Sequence, residues 1–103
     1  MNKEILENFI SNIEEIKKNS DRNEVVSDKV GQYNKVAYIE RVITESRELI
    51  KHGEKRIALE NMLENMNEVG IVLDAYTISL ARGAFGENIS SDMDELLMEM
   101  TCE

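Results

Sequence analysis

Ile5, Leu6, Phe9, Ile10, Ile13 and Ile16 recur at spacings of three and four, with Glu4, Glu7, Glu14, Glu15 and Lys17 between them. That period gathers the apolar side chains into one stripe and the charges on the other side, so the pattern predicts an amphipathic first helix. The run Lys18-Asn19-Ser20-Asp21-Arg22-Asn23 breaks it. Ser, Asp and Asn carry short polar side chains that bond nearby backbone and favour turns and caps, so a connection is expected there. Between Asn23 and Asn34 the pattern is ambiguous. Val25, Val26, Val30 and Tyr33 fit a short helix, with Gly31 as either a break or a tolerated interior glycine.

The next stripe is clear: Val36, Ile39, Val42, Ile43, Ser46, Leu49 and Ile50, closed by Lys51-His52-Gly53. Basic residues suit the negative end of a helix dipole, and glycine suits the left-handed position that follows, so His52 reads first as a helix-end residue. A third helix is predicted from Glu54 to Val69 on Leu59, Met62, Leu63, Met66 and Val69, stopped by Gly70. On it Glu60, Glu64 and Glu68 follow one another at i, i+4 and i+8, roughly opposite the Leu59/Met66 stripe, and make an acidic ridge. Ile71-Val72-Leu73 is an apolar link expected to pack onto the core. Asp74 then caps a fourth helix through Ala75, Ile78, Leu80, Ala81 and Phe85, which Gly83 and Gly86 weaken or end. Ser91-Asp92-Met93-Asp94 resembles a cap before Leu96, Leu97 and Met100, with Asp92, Asp94 and Glu95 favourable at the helix N-terminus. Four to five helices with short connections predict an all-α chain, a compact antiparallel bundle forming one domain over residues 1–103.

Composition agrees. The chain of 103 residues has no Pro and no Trp, and only five glycines, too little punctuation for a many-stranded sandwich or barrel. Charges interrupt every apolar run well short of a membrane span, and the first residues enter an amphipathic pattern rather than a signal-peptide run; a cytoplasmic protein is expected. The single cysteine, Cys102, has no internal disulfide partner.

Charge changes the picture more. The net charge is -9, yet residues 1–56 hold eleven acids and eleven bases. Residues 57–103 hold ten acids, Glu60, Glu64, Glu68, Asp74, Glu87, Asp92, Asp94, Glu95, Glu99 and Glu103, against one base, Arg82. Charge gathered in this way repels nucleic acid and speeds encounter with a basic partner. Direct nucleic-acid binding is therefore disfavoured.

Candidate chemistry is sparse. No glycine-rich phosphate loop occurs, and the carboxylate pairs Glu14-Glu15 and Glu60/Glu64 lack a Glu-x-x-His pattern or an EF-hand loop. Cys102 and His52 show no spacing motif, and no serine or tyrosine has a histidine partner close in sequence. Neither catalysis, a metal nor a cofactor is expected. Met62, Met66, Met93, Met98 and Met100 fit core packing or an adaptable binding groove.

One segment adds a family. Gly53-Glu54-Lys55-Arg56-Ile57-Ala58-Leu59-Glu60-Asn61-Met62-Leu63-Glu64-Asn65-Met66-Asn67-Glu68-Val69-Gly70-Ile71-Val72-Leu73 resembles the central segment of MafI-type immunity proteins. Gly53, Ala58-Leu59-Glu60, Asn65, Glu68, Ile71 and Leu73 fit the pattern, whereas Val72 stands where such proteins often have Pro. The resemblance implies a small helical protein that binds and neutralises a cognate secreted toxin, including those of contact-dependent growth inhibition systems. Many such toxins are nucleases, whose phosphate-binding surface is basic. The expected partner-facing residues are Glu60, Glu64, Glu68 and Asp74, then Asp92, Asp94 and Glu95. The alternative is an acidic nucleic-acid mimic or a regulatory adaptor. Oligomeric state stays open, because Val25, Val26 and Val30 suit either core or dimer.

Overall fold

The computed structural model describes residues 1–101, and the five helices follow the apolar stripes. Helix α1 (Lys3–Asn19) starts where Asn2 Oδ1 accepts from the Ile5 N–H at 3.0 Å, filling one of the unpartnered donors of the first turn. Helix α2 (Lys35–Lys51) is capped in the same way by Asn34, which accepts from Ala37 N–H at 3.0 Å. It ends before Gly53, whose φ of 81° is open to glycine at little cost. Helix α3 spans Lys55–Glu68, α4 spans Ala75–Phe85 and α5 spans Ser91–Met100, with a 3-10 turn at Gly86–Asn88 between the last two. The α5 cap is Ser90, whose Oγ accepts from Met93 N–H at 3.2 Å, one residue before the expected Ser91.

The ambiguous segment is not helical. Strands β1 (Val25–Ser27) and β2 (Gln32–Asn34) form an antiparallel hairpin with Val26 opposite Tyr33. Val26 and Tyr33 turn inward and pack against the core, while Val25, Ser27, Gln32 and Asn34 are exposed, the period of two that defines a strand. Asp28 closes the turn. Its Oδ1 accepts from the Val30 and Gly31 N–H groups at 2.8 and 3.0 Å, and these bonds hold its carboxyl below its ordinary pKa. Val30 stands at the tip, 88% exposed, and contributes nothing to the core.

One core joins all five helices. Leu6, Phe9, Ile10 and Ile13 of α1 meet Ile39, Val42 and Ile43 of α2, Leu59, Met62, Leu63 and Met66 of α3, Ala81, Ala84 and Phe85 of α4, and Leu97 and Met100 of α5. Four of the five C-terminal-half methionines, Met62, Met66, Met93 and Met100, are thus core residues; Met98 is exposed. In the link after α3, Ile71 and Leu73 are buried as expected and Val72 points outward. Helix α1 lies against α4 and α2, α2 against α3, and α5 against α3. Among the described residues no helix is long and apolar enough to cross a membrane.

The helix directions depart from a simple antiparallel bundle. At the start of α3, Arg56 donates through both Nη atoms to the carbonyl oxygen of Asn88, just before α5, at 3.2 Å. Beyond the other end of α3, Leu73 N–H donates to Met100 O at 2.8 Å, and Leu73 pairs with Thr101 as a parallel bridge. Starts meet starts and ends meet ends, so α3 and α5 run side by side in the same direction. Helix α4, packed across α1, is the return stroke that makes this possible.

Candidate functional site

The parallel pairing brings together carboxylates that are far apart in sequence. On α3 the side towards α2 is marked by Tyr38 OH, which donates to Asn65 O at 2.9 Å, and by Ser46 Oγ against Ala58 O at 3.5 Å. Arg56 marks the side towards α5. At 100° per residue Glu60 lies on the Arg56 flank, half-buried, and Glu64 and Glu68 lie on the solvent side, both exposed. Successive members of this row are about 6 Å apart along the axis.

On α5 the flank towards α4 is marked by Asp94, which accepts from Arg82 Nη1. Asp92 and Glu99 lie on the opposite flank, towards α3, and Glu95 points away from both; all three are exposed. The outward sides of α3 and α5 therefore form one face carrying Glu60, Glu64, Glu68, Asp92, Glu95 and Glu99. None of the six has an ion-pair partner among the described residues.

Two of the expected partner-facing residues, Asp74 and Asp94, lie off this row and make contacts within the fold. Asp74 is exposed but committed to the N-terminus of α4: its Oδ1 accepts from Thr77 N–H at 2.8 Å and from Thr77 Oγ1 at 2.7 Å. Those two bonds, the backbone one first, pull its carboxyl below its ordinary pKa. Thr77 is fully buried and also accepts from Asn12 Nδ2 of α1, so Asp74 terminates a polar chain between α1 and α4. Asp94 spends its charge on Arg82. Glu99 was not singled out by the sequence, although its spacing of four from Glu95 and seven from Asp92 carries the signal. Glu103 lies outside the described residues.

A second feature lies between β2 and α2. Tyr33 of β2 and Tyr38 of α2 have ring centroids 5.3 Å apart at 47° and, with Asn34, Ala37 and Arg41, line a groove of about 250 Å³. The Arg41 guanidinium sits 5.0 Å from the Tyr38 ring centre. Nothing in the sequence pattern pairs these residues, because their meeting depends on the hairpin.

What the described residues place on this face is a row of carboxylates. Among the described residues no three His, Cys, Asp or Glu side chains converge on a possible metal position. His52 is an exposed helix-end residue, its Nε2 3.1 Å from Glu48 Oε1. Comparisons of the chain with protein-family models, with curated proteins and with solved structures find no match.

Proposed function

We propose that this is an immunity-type inhibitor that binds a basic toxin domain through the outward face of α3 and α5 and covers its active or substrate-binding surface without turnover. The observation that carries the reading is the acidic face itself: six carboxylates from two parallel helices, none neutralised within the described chain. Gathering like charges costs self-repulsion in the free protein, and a basic partner offsets that cost. The stretch resembling MafI-type immunity proteins is α3 with its exit, half of this face. A nuclease must present cations to phosphates, so a nuclease domain is the partner class best matched. The inhibitor acts in the compartment where the toxin would otherwise do harm, the cytoplasm.

The test is direct. Purified protein is mixed with the toxin encoded by the adjacent upstream gene, and complex formation and residual toxin activity are measured. Binding with loss of activity is expected; a toxin that neither binds nor is protected against ends the proposal.

A further inference from the structure

Among the described residues, polar contacts tie α5 to the rest of the chain near its two ends. Arg56 holds the Asn88 carbonyl just before it, Arg82 pairs with Asp94 in its first turns, and Leu73 N–H donates to Met100 O where it stops. Met93, Leu97 and Met100 are its buried side chains. A helix of 10 residues is too short to persist alone in water, so α5 is helical because it is docked. The segment joining it to α4 is built to turn. Gly86, Glu87 and Asn88 are exposed, and Gly86 sits at φ 70° with open space where a Cβ would stand, so a change of backbone angle there costs little. Charge opposes the docking. Glu60 is four residues beyond Arg56 and Asp92 four beyond Asn88, so they stand at about the same height on facing flanks of helices whose axes are about 8–10 Å apart. Glu64, Glu95 and Glu99 add to that repulsion, and the Arg82–Asp94 pair works against it.

We propose that α5 is a charge-sensitive latch: it undocks and melts as a unit, hinged at Gly86–Asn88, while α1 to α4 stay folded, and repulsion between the carboxylates of α3 and α5 sets how often it opens. Screening or neutralising those carboxylates closes it. The inference does not depend on the identity of any partner. It bears on the inhibitor reading because the face of α3 and α5 is whole only while α5 is docked, so the open fraction lowers the apparent affinity for whatever that face binds.

The experiment is native-state amide hydrogen exchange on the full chain, comparing wild type, Ile13→Val, and Glu60→Gln with Glu64→Gln. In wild type the α5 amides should open at least about tenfold more often than those of the buried stripe of α1. Ile13 is fully buried on α1, which packs against α2 and α4, so Ile13→Val weakens contacts that survive when α5 alone undocks. It should speed exchange in α1 about fivefold and leave α5 unchanged. The glutamine pair lies on α3 and leaves the sequence of α5 intact. Raising NaCl from about 20 mM to about 500 mM shortens the screening length from about 20 Å to about 4 Å and should slow wild-type α5 exchange about threefold. In the glutamine pair α5 should already exchange more slowly at low salt and lose most of its salt response. If Ile13→Val speeds α5 in step with α1, α5 opens only with the whole chain and the latch is overturned. Identical α5 exchange in wild type and the glutamine pair overturns the role of the carboxylates. Either failure leaves the inhibitor reading intact, because that reading is tested by toxin binding.

Discussion

Replacing Asp74 by alanine removes a helix cap whose geometry is fully defined, and its cost can be worked out. The carboxylate satisfies the Thr77 N–H at 2.8 Å and accepts from the buried Thr77 hydroxyl at 2.7 Å. Loss of an aspartate cap costs about 1 kcal/mol within a range of about 0.5–2. Asp74 is exposed, so water replaces part of what is lost at the backbone, but the Thr77 hydroxyl is fully buried and keeps only Asn12. A loss of about 1–1.5 kcal/mol is expected, against a total stability of about 5–15 kcal/mol for a chain of this length. That corresponds to a fall in melting temperature of about 4–10 °C. Its pH dependence identifies the cause. The folded carboxyl titrates below its ordinary value of 3.8, so its contribution is complete above that value and fades as the pH falls through the folded pKa. Urea unfolding followed by helical circular dichroism should show the full gap between wild type and Asp74→Ala at pH 7 and a smaller gap at pH 3. Asp74→Asn, which keeps an acceptor for Thr77, should lose less and show no such pH dependence. An Asp74→Ala protein as stable as wild type at pH 7, or a gap that widens in acid, would refute the capping account.

Three further outcomes follow from the same structure. Glu60→Lys with Glu64→Lys should slow association with the toxin and flatten its salt dependence while changing stability by less than about 1 kcal/mol, measured by stopped-flow binding at several salt concentrations; unchanged rates remove the α3 row from the interface. Gly83→Ala places a Cβ 3.3 Å from Ile5 Cδ1 and Cγ2; because Ile5 is only partly buried it can yield, so the helix-propensity gain should leave stability within about 0.5 kcal/mol of wild type, whereas Gly83→Leu should cost about 1–3 kcal/mol by forcing α1 from α4. Leu97→Ala, at a fully buried position on α5, should cost about 2–5 kcal/mol in urea unfolding, and a loss below 1 kcal/mol would show that α5 does not share the common core.

Most helix positions were legible because their stripes are long and several ends carry residues with one clear use: Asp74 is the N-cap of α4, and Gly53, Gly70 and Gly86 all take positive φ, whereas the caps at Asn2, Asn34 and Ser90 emerge only from the structure. The hairpin was not, because Val25, Val26, Val30 and Tyr33 fit a helical stripe as well as a two-stranded ribbon. What decides it is local and small: Asp28 bonding two backbone N–H groups, and Val26 and Tyr33 facing the same way across the pair. The candidate site was legible in part. A surplus of acid after residue 56 is a property of the sequence, but whether those acids disperse or converge depends on helix direction, which short connections alone do not determine. Asp94 shows the limit well: it is indistinguishable from Asp92 by composition, yet one turns to Arg82 and the other does not.

The direction of α5 is therefore the step on which the functional reading depends. Had α5 packed elsewhere, against α1 for example, Asp92, Glu95 and Glu99 would lie apart from the α3 row and leave two weak charged edges. Two contacts hold the parallel arrangement at its ends, Arg56 to Asn88 O and Leu73 N–H to Met100 O, and Leu97 and Met100 hold it through the core. Neither end contact uses a carboxylate of the face, and the ion pair that α5 makes among the described residues is on the other flank, with Arg82. The arrangement keeps structural contacts and unpaired charge on different sides of the same helix. Mutual repulsion along the face therefore weakens the free fold without breaking any bond that positions it, and a basic partner that removes the repulsion stabilises the fold by binding it.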